Sequence, residues 1–382
     1  MFRENRTIGI LGGGQLGKMI LDVSNRWDLK VFVLDPDINC ASSKLCSKFF
    51  KGNLMDFDTV VEFGKNVDLI TIEIENVNVE ALKFLQTQGK KVYPQPSVIE
   101  IIQDKSKQKE FYANNKIPTS SYLSCNGINE IKTLISRGDI SFPFIWKASK
   151  MGYDGYGVNK ISNAEDLEKL YDCHCIIEEV ISIQKELSVM VGSRKSGEMV
   201  SYPSVEMEFN KISNQVEYIL SPAQISNELK IKAEKLALIV AEKFKISGII
   251  AVEMFLTTNN ELLVNEVAPR PHNSYHFSIE GSYTSQFEQF LRAILDLPLG
   301  NTDILINSVM VNLVGEKDSK GIAAYKNFDQ IIGIEGVNTN IYGKLETKPN
   351  RKMGHVTIIN QDINAAKALA KKIKETIIIT TK

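Results

Sequence analysis

Apolar and polar positions follow two alternating patterns in the N-terminal part of the chain. Short apolar runs predict strands at residues 7–11, 30–34 and 67–75. Between the first two strands, apolar side chains recur at helical spacing, which predicts a helix over residues 15–27 with one apolar face of Leu16, Met19, Ile20 and Val23. A second helix, with Val79, Leu82 and Leu85 on its apolar face, follows the third strand. Strands that alternate with helices in this order are typical of a parallel α/β sheet.

Beyond a boundary near residue 103 the pattern becomes a mixed α+β one. Helices are predicted over residues 104–115, 164–171, 227–244, 285–295 and 365–373. Strands are predicted over residues 142–148, 158–161, 175–180, 187–192, 309–314, 340–345 and 354–359, together with a hairpin of 248–256 and 261–268. The sequence contains no internal repeat or low-complexity segment, so we predict a compact multidomain α/β protein.

Composition and charge narrow the classes of partner. The 382 residues carry 45 Lys+Arg against 46 Asp+Glu, a formal net charge of −1, and 43% of the residues are hydrophobic. This balance argues against a nucleic-acid-binding or polybasic membrane protein, since both need a broad positive face. No apolar run approaches a membrane span, and no secretory signal is expected.

Five cysteines without a CxxC pair favour a reducing cytoplasm. In Cys173-His174-Cys175, His174 would point away from the cysteines on a strand, so a structural role is favoured over a metal site.

A glycine-rich turn follows the first predicted strand. Gly12, Gly14 and Gly17 satisfy the G-x-G-x-x-G pattern, and Asp35 ends the next strand. This spacing is typical of a dinucleotide-binding turn, in which helix amides bind a phosphate. The same glycines also permit a close contact between strand and helix without any ligand. Both interpretations stay open from the pattern alone.

Two acidic residues end the third predicted strand. By period-two alternation Thr71, Glu73 and Glu75 share one face, and Ile70, Ile72 and Ile74 share the other. Carboxylates at the carboxyl end of a parallel strand lie where open α/β sheets bind ligands. Alternatively, they cap a neighbouring helix or face solvent.

A lysine followed by a glycine-rich loop is the stronger candidate for phosphate binding. Lys147 ends an apolar strand, and Gly152, Gly155 and Gly157 follow it. Exposed amides of such a loop can cover nucleotide phosphates beside the lysine charge, although an ordinary hairpin turn explains one or two of the glycines. The apolar run at 176–181, with its glutamates, is a weaker indication of an adenine and ribose site.

The predicted hairpin carries the candidate metal ligands. If residues 257–260 form its loop, Leu256 lies opposite Glu261, so that Glu253 faces Val264 and neighbours Glu266 diagonally, roughly 7–8 Å away at the backbone. Two carboxylates on one face suit Mg²⁺, which fills its other positions with water and phosphate oxygens. A purely structural pair of like charges in an apolar hairpin would be costly, so the metal interpretation is favoured.

Taken in order, these segments resemble the ATP-grasp superfamily, and within it the 5-(carboxyamino)imidazole ribonucleotide synthases. The resemblance covers nearly the whole chain, through residues 12–19, 73–77, 103–109, 152–157, 178–189, 265–274 and 350–355. It implies a Rossmann-like pre-ATP-grasp domain over 1–103, a small α+β lid over 104–182, an ATP-grasp core over 183–300 and a C-terminal region over 301–382 that completes the core and the substrate site.

The resemblance also implies a reaction. ATP, bicarbonate and 5-aminoimidazole ribonucleotide would give 5-(carboxyamino)imidazole ribonucleotide, ADP and phosphate through a carboxyphosphate intermediate. Mg²⁺, or Mn²⁺ in its place, would be the cofactor, and a cytoplasmic homodimer is implied. Phosphoryl transfer of this kind depends on positioning and charge neutralisation, with loop closure to exclude water.

Site residues follow from the resemblance, position by position. ATP would be bound by Lys105, Lys147, Gly152, Tyr153, Asp154, Gly155, Tyr156, Gly157, Val158, Glu178, Glu179, Val180, Ile181, Glu186, Glu206, Asn265 and Glu266. The metal would be held by Glu253 and Glu266. The imidazole ribonucleotide would be surrounded by Gln15, Glu73, Glu75, Tyr153, Asp154, Arg270, His272, Asn273, Ser274, Arg351, Lys352 and His355. The catalytic residues would be Arg270, which faces bicarbonate, Lys147 and Asp154.

Three positions depart from the family pattern. Lys105 stands where many members have arginine, Val158 where a glutamine commonly ends the glycine loop, and Tyr275 where a glycine usually follows His-Asn-Ser. The last departure bears on the local backbone around the substrate.

Three other functions compete with this one. The formate-dependent glycinamide ribonucleotide transformylases have a similar Pro-Arg-Pro-His segment, but Asp-Thr-Gly usually follows their histidine, whereas Asn273 and Ser274 follow it here. A nicotinamide-dependent oxidoreductase explains only the first glycine turn. A catalytically silent nucleotide-binding protein would not need the lysines and the glutamate pair.

Overall fold

A parallel sheet forms the N-terminal layer of the computed structural model, which describes residues 6–150, 157–210 and 213–382. Its five strands lie in the order β3-β2-β1-β4-β5. They are β1 (Thr7–Leu11), β2 (Lys30–Asp35), β3 (Lys48–Lys51), β4 (Leu69–Ile72) and β5 (Lys91–Val92). The helices that connect them and lead out of the layer are α1 (Gln15–Arg26), α2 (Phe57–Lys65), α3 (Val79–Thr87) and α4 (Pro96–Ile102).

Both faces of this sheet are buried, as a parallel sheet requires. Ile10 and Val33 pack toward α1, whereas Leu11 and Leu34 pack toward α2 and α3. This alternation places α1 between the parallel sheet and the large C-terminal sheet, where it contacts helix α10 (Gln286–Ile294).

The third predicted strand is shorter than the sequence pattern indicated. β4 ends at Ile72, so Glu73 and Glu75 do not continue it. The chain turns there, and the Gln103 side chain donates hydrogen bonds to the carbonyls of Glu75 and Val77. Ile74 is therefore 41% exposed and does not share a buried face with Ile70 and Ile72.

A small antiparallel sheet follows helix α5 (Lys105–Asn114), with strand order β6-β9-β7-β8. Its elements are β6 (Tyr122–Cys125), α6 (Ile128–Arg137), β7 (Phe144–Ala148), β8 (Val158–Ile161), α7 (Ala164–Leu167) and β9 (Cys175–Glu179). The helix predicted over 164–171 ends early, at Leu167. Cys175 and Trp146 lie in the core of this unit. His174 is exposed, but it lies in the bend before β9 and not on the strand that the alternation assumed.

A nine-stranded sheet forms the largest layer, with most strands in the order β15-β14-β10-β12-β13-β16-β20-β18 and β11 paired to β10. The strands of this sheet are β10 (Ile183–Ser193), β11 (Met199–Ser201), β12 (Val205–Phe209), β13 (Val216–Ser221), β14 (Gly248–Thr257), β15 (Leu262–Ala268), β16 (Ser308–Val314), β18 (Val337–Ile341) and β20 (Lys352–Ile359). A separate three-stranded sheet contains β17 (Gly321–Lys326), β19 (Glu346–Thr347) and β21 (Ile378–Thr381), with β17 in the middle. The remaining helices are α8 (Asn227–Phe244), a 3₁₀ turn (Asn273–Tyr275), α9 (Ser278–Gly281), α10, α11 (Asp329–Ile332) and α12 (Ile363–Thr376).

The two faces of the nine-stranded sheet serve different purposes. Leu187 and Val252 face α8 and fill one core. Met190 and Ala251 face the other way, toward α10 and the N-terminal layer. Ser188 and Glu253 pair with each other further along the same strands, and by alternation they share the face of Met190. The sheet thus directs polar residues toward the carboxyl ends of the parallel strands.

A strand expected over 340–345 is displaced in the structure. β18 covers Val337–Ile341 and pairs with β20. The chain leaves the sheet at Tyr342 and turns at Gly343, whose φ of 76° favours glycine. None of the helices in the described residues is long and apolar enough to cross a membrane.

Candidate active site

A β-bulge brings the two candidate metal ligands face to face. Leu256 pairs with Leu262 and Met254 with Val264, and after a register shift Glu253 pairs directly with Glu266. The predicted register, with Leu256 opposite Glu261, is therefore wrong by one residue. Asn265 is the extra residue of the β-bulge. The bulge shifts the register by one further residue, so that Glu253 lies opposite Glu266. Directly opposed residues lie closer than diagonal ones, so the pair is tighter than the sequence indicated.

The environment of Glu253 disfavours an uncompensated charge. Its side chain is 11% exposed, whereas that of Glu266 is 49% exposed. Burial first, then the charges of Glu266 and Glu186, raise the pKa of Glu253 well above its ordinary value. A divalent cation between the two carboxylates would reverse this effect, because it favours their ionised forms.

Glu186 is the third carboxylate near this pair. Burial, followed by the charge of Glu266, raises the pKa of Glu186 to about 7, and Lys147 opposes the shift. Among the described residues no group of three His, Cys, Asp or Glu side chains has the arrangement of a complete metal site. A cation here would need phosphate or water oxygens as well, which suits Mg²⁺.

Two lysines reach the bulged strand from the small sheet and from α5. The Lys147 Nζ donates to Asn265 Oδ1 at 3.1 Å, and the Lys105 Nζ lies 3.7 Å from Glu266 Oε2. The structure thus brings together Lys105, Lys147, Asn265 and Glu266, which the sequence had placed in one nucleotide site. Both lysines keep part of their surface open, at 20% and 13% exposure.

Lys147 belongs to a buried ion triad with Glu178 and Lys109. Glu178 lies 3.0 Å from the Lys147 Nζ and 3.1 Å from the Lys109 Nζ. Lys109 also donates to the hydroxyls of Thr119 and Ser120. Sequence reasoning missed Lys109, although its position one helical turn after Lys105 on α5 is a usable signal.

The predicted adenine segment divides into two environments. Glu178 is buried in the triad, so its carboxylate is directed at lysines and not at a nucleotide edge. Glu179 accepts a hydrogen bond from the Ser121 backbone, while Val180 is 38% exposed. Val180 and Ile181 lie outside β9 and β10, so their backbone groups are the ones available to an adenine edge.

Glu206 does not join this group. It pairs with Leu187, which faces α8, and it therefore points to the opposite side of the sheet from Glu186. Its carboxylate accepts two hydrogen bonds from Lys185 and one from the Gln224 backbone. The expectation that Glu206 contacts ATP is thus corrected by the alternation of the strand.

The centre of the glycine-rich loop lies outside the described residues. Gly152, Tyr153, Asp154, Gly155 and Tyr156 belong to it, so their predicted roles stay predictions. Gly157, with a φ of 72°, accepts a hydrogen bond from the Ala148 backbone. Val158 begins β8 opposite Lys147, which aligns the C-terminal end of the loop with that lysine.

The first glycine turn binds the protein's own carboxylates. Gly14 and Gly17 donate backbone hydrogen bonds to the two oxygens of Glu73, at 2.9 and 3.0 Å. The Gly13 amide donates to Asp35 at 2.7 Å. At Gly12, whose φ is 99°, an added Cβ would lie 2.6 Å from the Glu73 side chain. The amides that would bind a dinucleotide phosphate are therefore occupied, which decides against the nicotinamide interpretation.

Glu73 and Glu75 have different tasks. Glu73 is buried, and burial raises its pKa even though the glycine amides oppose the shift. Glu75 lies 2.9 Å from the Nε of Arg270, so it orients the arginine predicted to face bicarbonate. Gln15 is half-buried in the first turn of α1, next to the same glycine turn.

His272 connects this region to the metal ligands. Its Nε2 lies 3.4 Å from Glu253 Oε1. The Ser274 backbone N–H and side-chain hydroxyl both lie against its Nδ1, so Nδ1 is the acceptor and Nε2 carries the proton. Gln286 holds the His272 backbone by accepting from its N–H and donating to its carbonyl. Lys352 and Arg270 lie near enough to lower the pKa of Glu253.

Two predicted substrate contacts need correction, and a third is engaged within the protein. Ser274 and His355 are 1% and 0% exposed, so neither offers a surface to a ligand. The Asn273 amide makes a reciprocal pair of hydrogen bonds with Asn312, at 2.8 and 2.9 Å. Ser274 and His355 therefore support the site and do not line it, whereas Asn273 is half-buried and its contact with the substrate stays a prediction. Arg351 is half-buried, and one of its guanidinium nitrogens donates to the Glu346 carbonyl.

The burial of His276 and His355 predicts that the protein loses stability as the pH falls. Burial, with a smaller contribution from Lys18, lowers the pKa of His355 to about 3, and burial holds the pKa of His276 well below its ordinary value. Because the unfolded chain binds protons below pH 6.5 that the native state does not, this stability is complete above pH 6.5 and declines as the pH falls toward 3.

We expect the stability advantage of the wild type over His355→Gln to shrink by roughly 1 kcal/mol per pH unit below 6.5. Urea unfolding at pH 7.5, 6.5 and 5.5 measures it. His174→Gln, at an exposed histidine, is the control and should show a constant difference. A pH-independent difference for His355→Gln would contradict the assignment.

Comparison with known proteins agrees with this geometry. Residues 5–103 match the ribonucleotide synthetase preATP-grasp domain, residues 110–287 the ATP-grasp domain, and residues 308–369 the phosphoribosylaminoimidazole carboxylase C-terminal domain. The N5-carboxyaminoimidazole ribonucleotide synthase of Bacillus subtilis is 34% identical over 93% of this chain and 91% of its own length. This chain belongs to the N5-carboxyaminoimidazole ribonucleotide synthase family. It is therefore an ATP-grasp protein with the predicted α/β architecture.

Solved structures of the same family share the fold throughout. The N5-carboxyaminoimidazole ribonucleotide synthetase of Thermotoga maritima is 38% identical, with a TM-score of 0.90 over 99% of this chain and 100% of its own. The Aspergillus clavatus synthase, solved with ADP and 5-aminoimidazole ribonucleotide, is 30% identical, with a TM-score of 0.89 over 98% of this chain and 99% of its own. The chain spans 64% of the length of the Saccharomyces cerevisiae phosphoribosylaminoimidazole carboxylase, to which it is 37% identical.

Proposed function

We propose that this chain carboxylates 5-aminoimidazole ribonucleotide with bicarbonate, using ATP and releasing ADP and phosphate. The observation that carries the proposal is the link between two sites. His272 contacts Glu253 of the carboxylate pair, and Arg270, two residues before it, contacts Glu75 beside the glycine turn. A nucleotide site and a second ligand site thus meet at one short segment.

The first step is phosphorylation of bicarbonate. A bicarbonate oxygen attacks the γ-phosphorus of ATP, its new O–P bond replaces the bond to ADP, and carboxyphosphate forms. Lys147 and Lys105 neutralise charge on the phosphates, and Arg270 orients the bicarbonate. Preorganised charges of this kind are the main contribution of a protein to phosphoryl transfer. The triad with Glu178 and Lys109 holds Lys147 in place.

The second step forms the carbon–nitrogen bond. Carboxyphosphate separates into CO₂ and phosphate, the substrate amine attacks the carbon, and the amine proton leaves with the phosphate. Water must be excluded while carboxyphosphate exists, since hydrolysis would waste it. The sequence predicted that loop closure excludes water, and the centre of the glycine-rich loop, residues 151–156, lies outside the described residues.

The residues present suit a magnesium cofactor. Glu253 and Glu266 would hold Mg²⁺, or Mn²⁺ in its place, with Asn265 beside them, since the pair is tight and the charge on Glu253 is otherwise disfavoured. Such an ion would supply neutralisation of the negative charge on the nucleotide phosphates. We also propose a cytoplasmic homodimer without nucleic-acid or membrane partners. Analytical ultracentrifugation tests the dimer.

The proposal is tested by measuring ADP release with ATP and Mg²⁺ under paired conditions. We expect release to depend on both bicarbonate and 5-aminoimidazole ribonucleotide. Release that ignores the imidazole ribonucleotide but rises with formate and glycinamide ribonucleotide would assign the transformylase activity instead. Binding of ATP without turnover under every condition would identify a catalytically silent protein.

A further inference from the structure

Tyr275 occupies the position where the family pattern has a glycine, and its whole side chain is buried. It is 0% exposed. Its hydroxyl donates to the Ser188 carbonyl at 2.9 Å and lies 3.0 Å from the Pro203 carbonyl. A phenol has one proton, which the two carbonyls share. The side chain therefore attaches the 3₁₀ turn to strand β10 and to the segment before β12.

The residue that Tyr275 reaches is also bound by its neighbour. The Ser274 hydroxyl lies 3.0 Å from the Ser188 hydroxyl, and the same Ser274 hydroxyl lies 2.8 Å from the His272 Nδ1. Ser274 thus contacts the side chain of Ser188, and Tyr275 contacts the backbone carbonyl of the same residue. Two adjacent attachments fix both the position and the rotation of a short turn.

Ser188 is in turn the cross-strand partner of Glu253. The His272 Nε2 lies 3.4 Å from Glu253 Oε1. The contacts therefore close a ring through the Ser188 backbone, Glu253, His272, the turn and the Tyr275 phenol. Displacing the turn would change the His272–Glu253 distance, because Glu253 is fixed within the sheet, whereas His272 lies outside the sheet and is held by Gln286 and by the turn.

We infer that Tyr275 is a positioning residue that holds His272 in register with Glu253. It acts through His272 and contacts no reacting atom. This inference rests on the proposed carboxylation, in which His272 lies between the metal ligands and the imidazole ribonucleotide. In this chain the phenol hydroxyl of Tyr275 makes hydrogen bonds that a glycine at this position could not make.

A purely space-filling role is the alternative, since the Tyr275 ring packs on Tyr202 and Phe277. Tyr202 provides a matched control for it. Its ring is also 0% exposed and its hydroxyl donates to the Thr284 carbonyl at 2.9 Å, away from Ser188. Tyr202→Phe and Tyr275→Phe each remove one buried hydroxyl from the same aromatic cluster and keep the ring.

The experiment measures kcat/KM for 5-aminoimidazole ribonucleotide, the KM for ATP and the melting temperature of both variants. We expect Tyr275→Phe to lower kcat/KM for the imidazole ribonucleotide by roughly tenfold to a hundredfold, since misplacement of a site residue by about 1 Å can cost about a hundredfold. The KM for ATP should stay within about threefold. Tyr202→Phe should lose a similar amount of thermal stability and keep both kinetic constants within about twofold.

Equal kinetic losses in the two variants, or wild-type kinetics in Tyr275→Phe, would overturn the inference. A second measurement separates it from the proposed activity. The chain has four histidines, so ¹⁵N-histidine NMR resolves the His272 ring nitrogens without any turnover. Tyr275→Phe should shift the His272 signals, and Tyr202→Phe should not. Unchanged His272 signals in Tyr275→Phe contradict the positioning role even if the chain has another activity.

Discussion

Replacing Glu266 by glutamine should lower ATP turnover by roughly a hundredfold to a thousandfold while the protein stays folded. The substitution removes one negative charge from the facing Glu253–Glu266 pair and keeps the shape of the side chain. With 49% of its side chain exposed, Glu266 contributes little to packing. The loss should therefore appear in kcat and in the apparent affinity for Mg²⁺, measured by ADP release at varied Mg²⁺ concentration.

Glu261→Gln is the matched control for this substitution. Glu261 lies in the turn of the same hairpin and is exposed, so its neutralisation should leave turnover within about twofold of the wild type. Melting temperatures of all three proteins check that folding is preserved. Wild-type turnover in Glu266→Gln, at any Mg²⁺ concentration, would end the metal assignment.

The largest loss of stability is expected for Glu178→Gln. Glu178 is the only carboxylate within 4 Å of the Lys109 Nζ among the described residues, and both side chains are 3% exposed. Burial already lowers the pKa of Lys109 to about 8, despite the opposing charge of Glu178. Without that charge the lysine must stay buried as an unpaired cation or lose its proton. Removal of one partner from such a pair costs about 3–5 kcal/mol of unfolding free energy.

Urea unfolding with a second substitution identifies the cause of this loss. Lys109→Met in the Glu178→Gln background removes the unpaired cation, so the double variant should be more stable than Glu178→Gln alone. Glu168→Gln, at an exposed position of the same small domain, should leave the unfolding free energy within about 0.5 kcal/mol of the wild type. Additive losses from Lys109→Met and Glu178→Gln would show that the ion pair is not responsible.

The elements that local sequence determines were predicted well. α8 spans Asn227–Phe244, as its apolar spacing indicated. The Ser226 side chain caps its first turn, and Lys245 ends it with a φ of 50°. Both signals lie within or next to the helix, so a single sequence contains them. The same holds for α1. Strand β3 (Lys48–Lys51) and helix α2 (Phe57–Lys65) were not predicted, although the alternation of the other strands and helices in the N-terminal layer was.

Features that depend on distant partners were not predictable in the same way. Alternation continues past Ile72, so nothing local shows that β4 ends there and that Glu73 turns to the glycine amides. The bulge at Asn265 changes the register by one residue, which an apolar pattern does not record. Asn312 binds Asn273 of the 3₁₀ turn and Gln286 binds the preceding His272, and both partners lie on other elements, so the local sequence does not reveal them.

The candidate site shows the same division. Residue types and spacing indicated the glutamate pair and Lys147, because those patterns are local, whereas the segment from Arg270 to Ser274 was implied by the family resemblance. They did not show which members face the ligand. Ser274 and His355 are buried supports, and Glu206 is on the far face of its sheet. Strand alternation gives the face of Glu206 only once the pairing of β12 with β10 is known.

Transfer of an oxygen atom tests the central claim most directly. Purified protein is supplied with ¹⁸O-labelled bicarbonate, ATP, Mg²⁺ and 5-aminoimidazole ribonucleotide, and the released phosphate is examined by ³¹P NMR before the label exchanges with water. If bicarbonate attacks the γ-phosphorus, each phosphate released with the carboxylated product carries one oxygen from bicarbonate. Phosphate without the label, released at the same rate as product, would contradict the carboxyphosphate route.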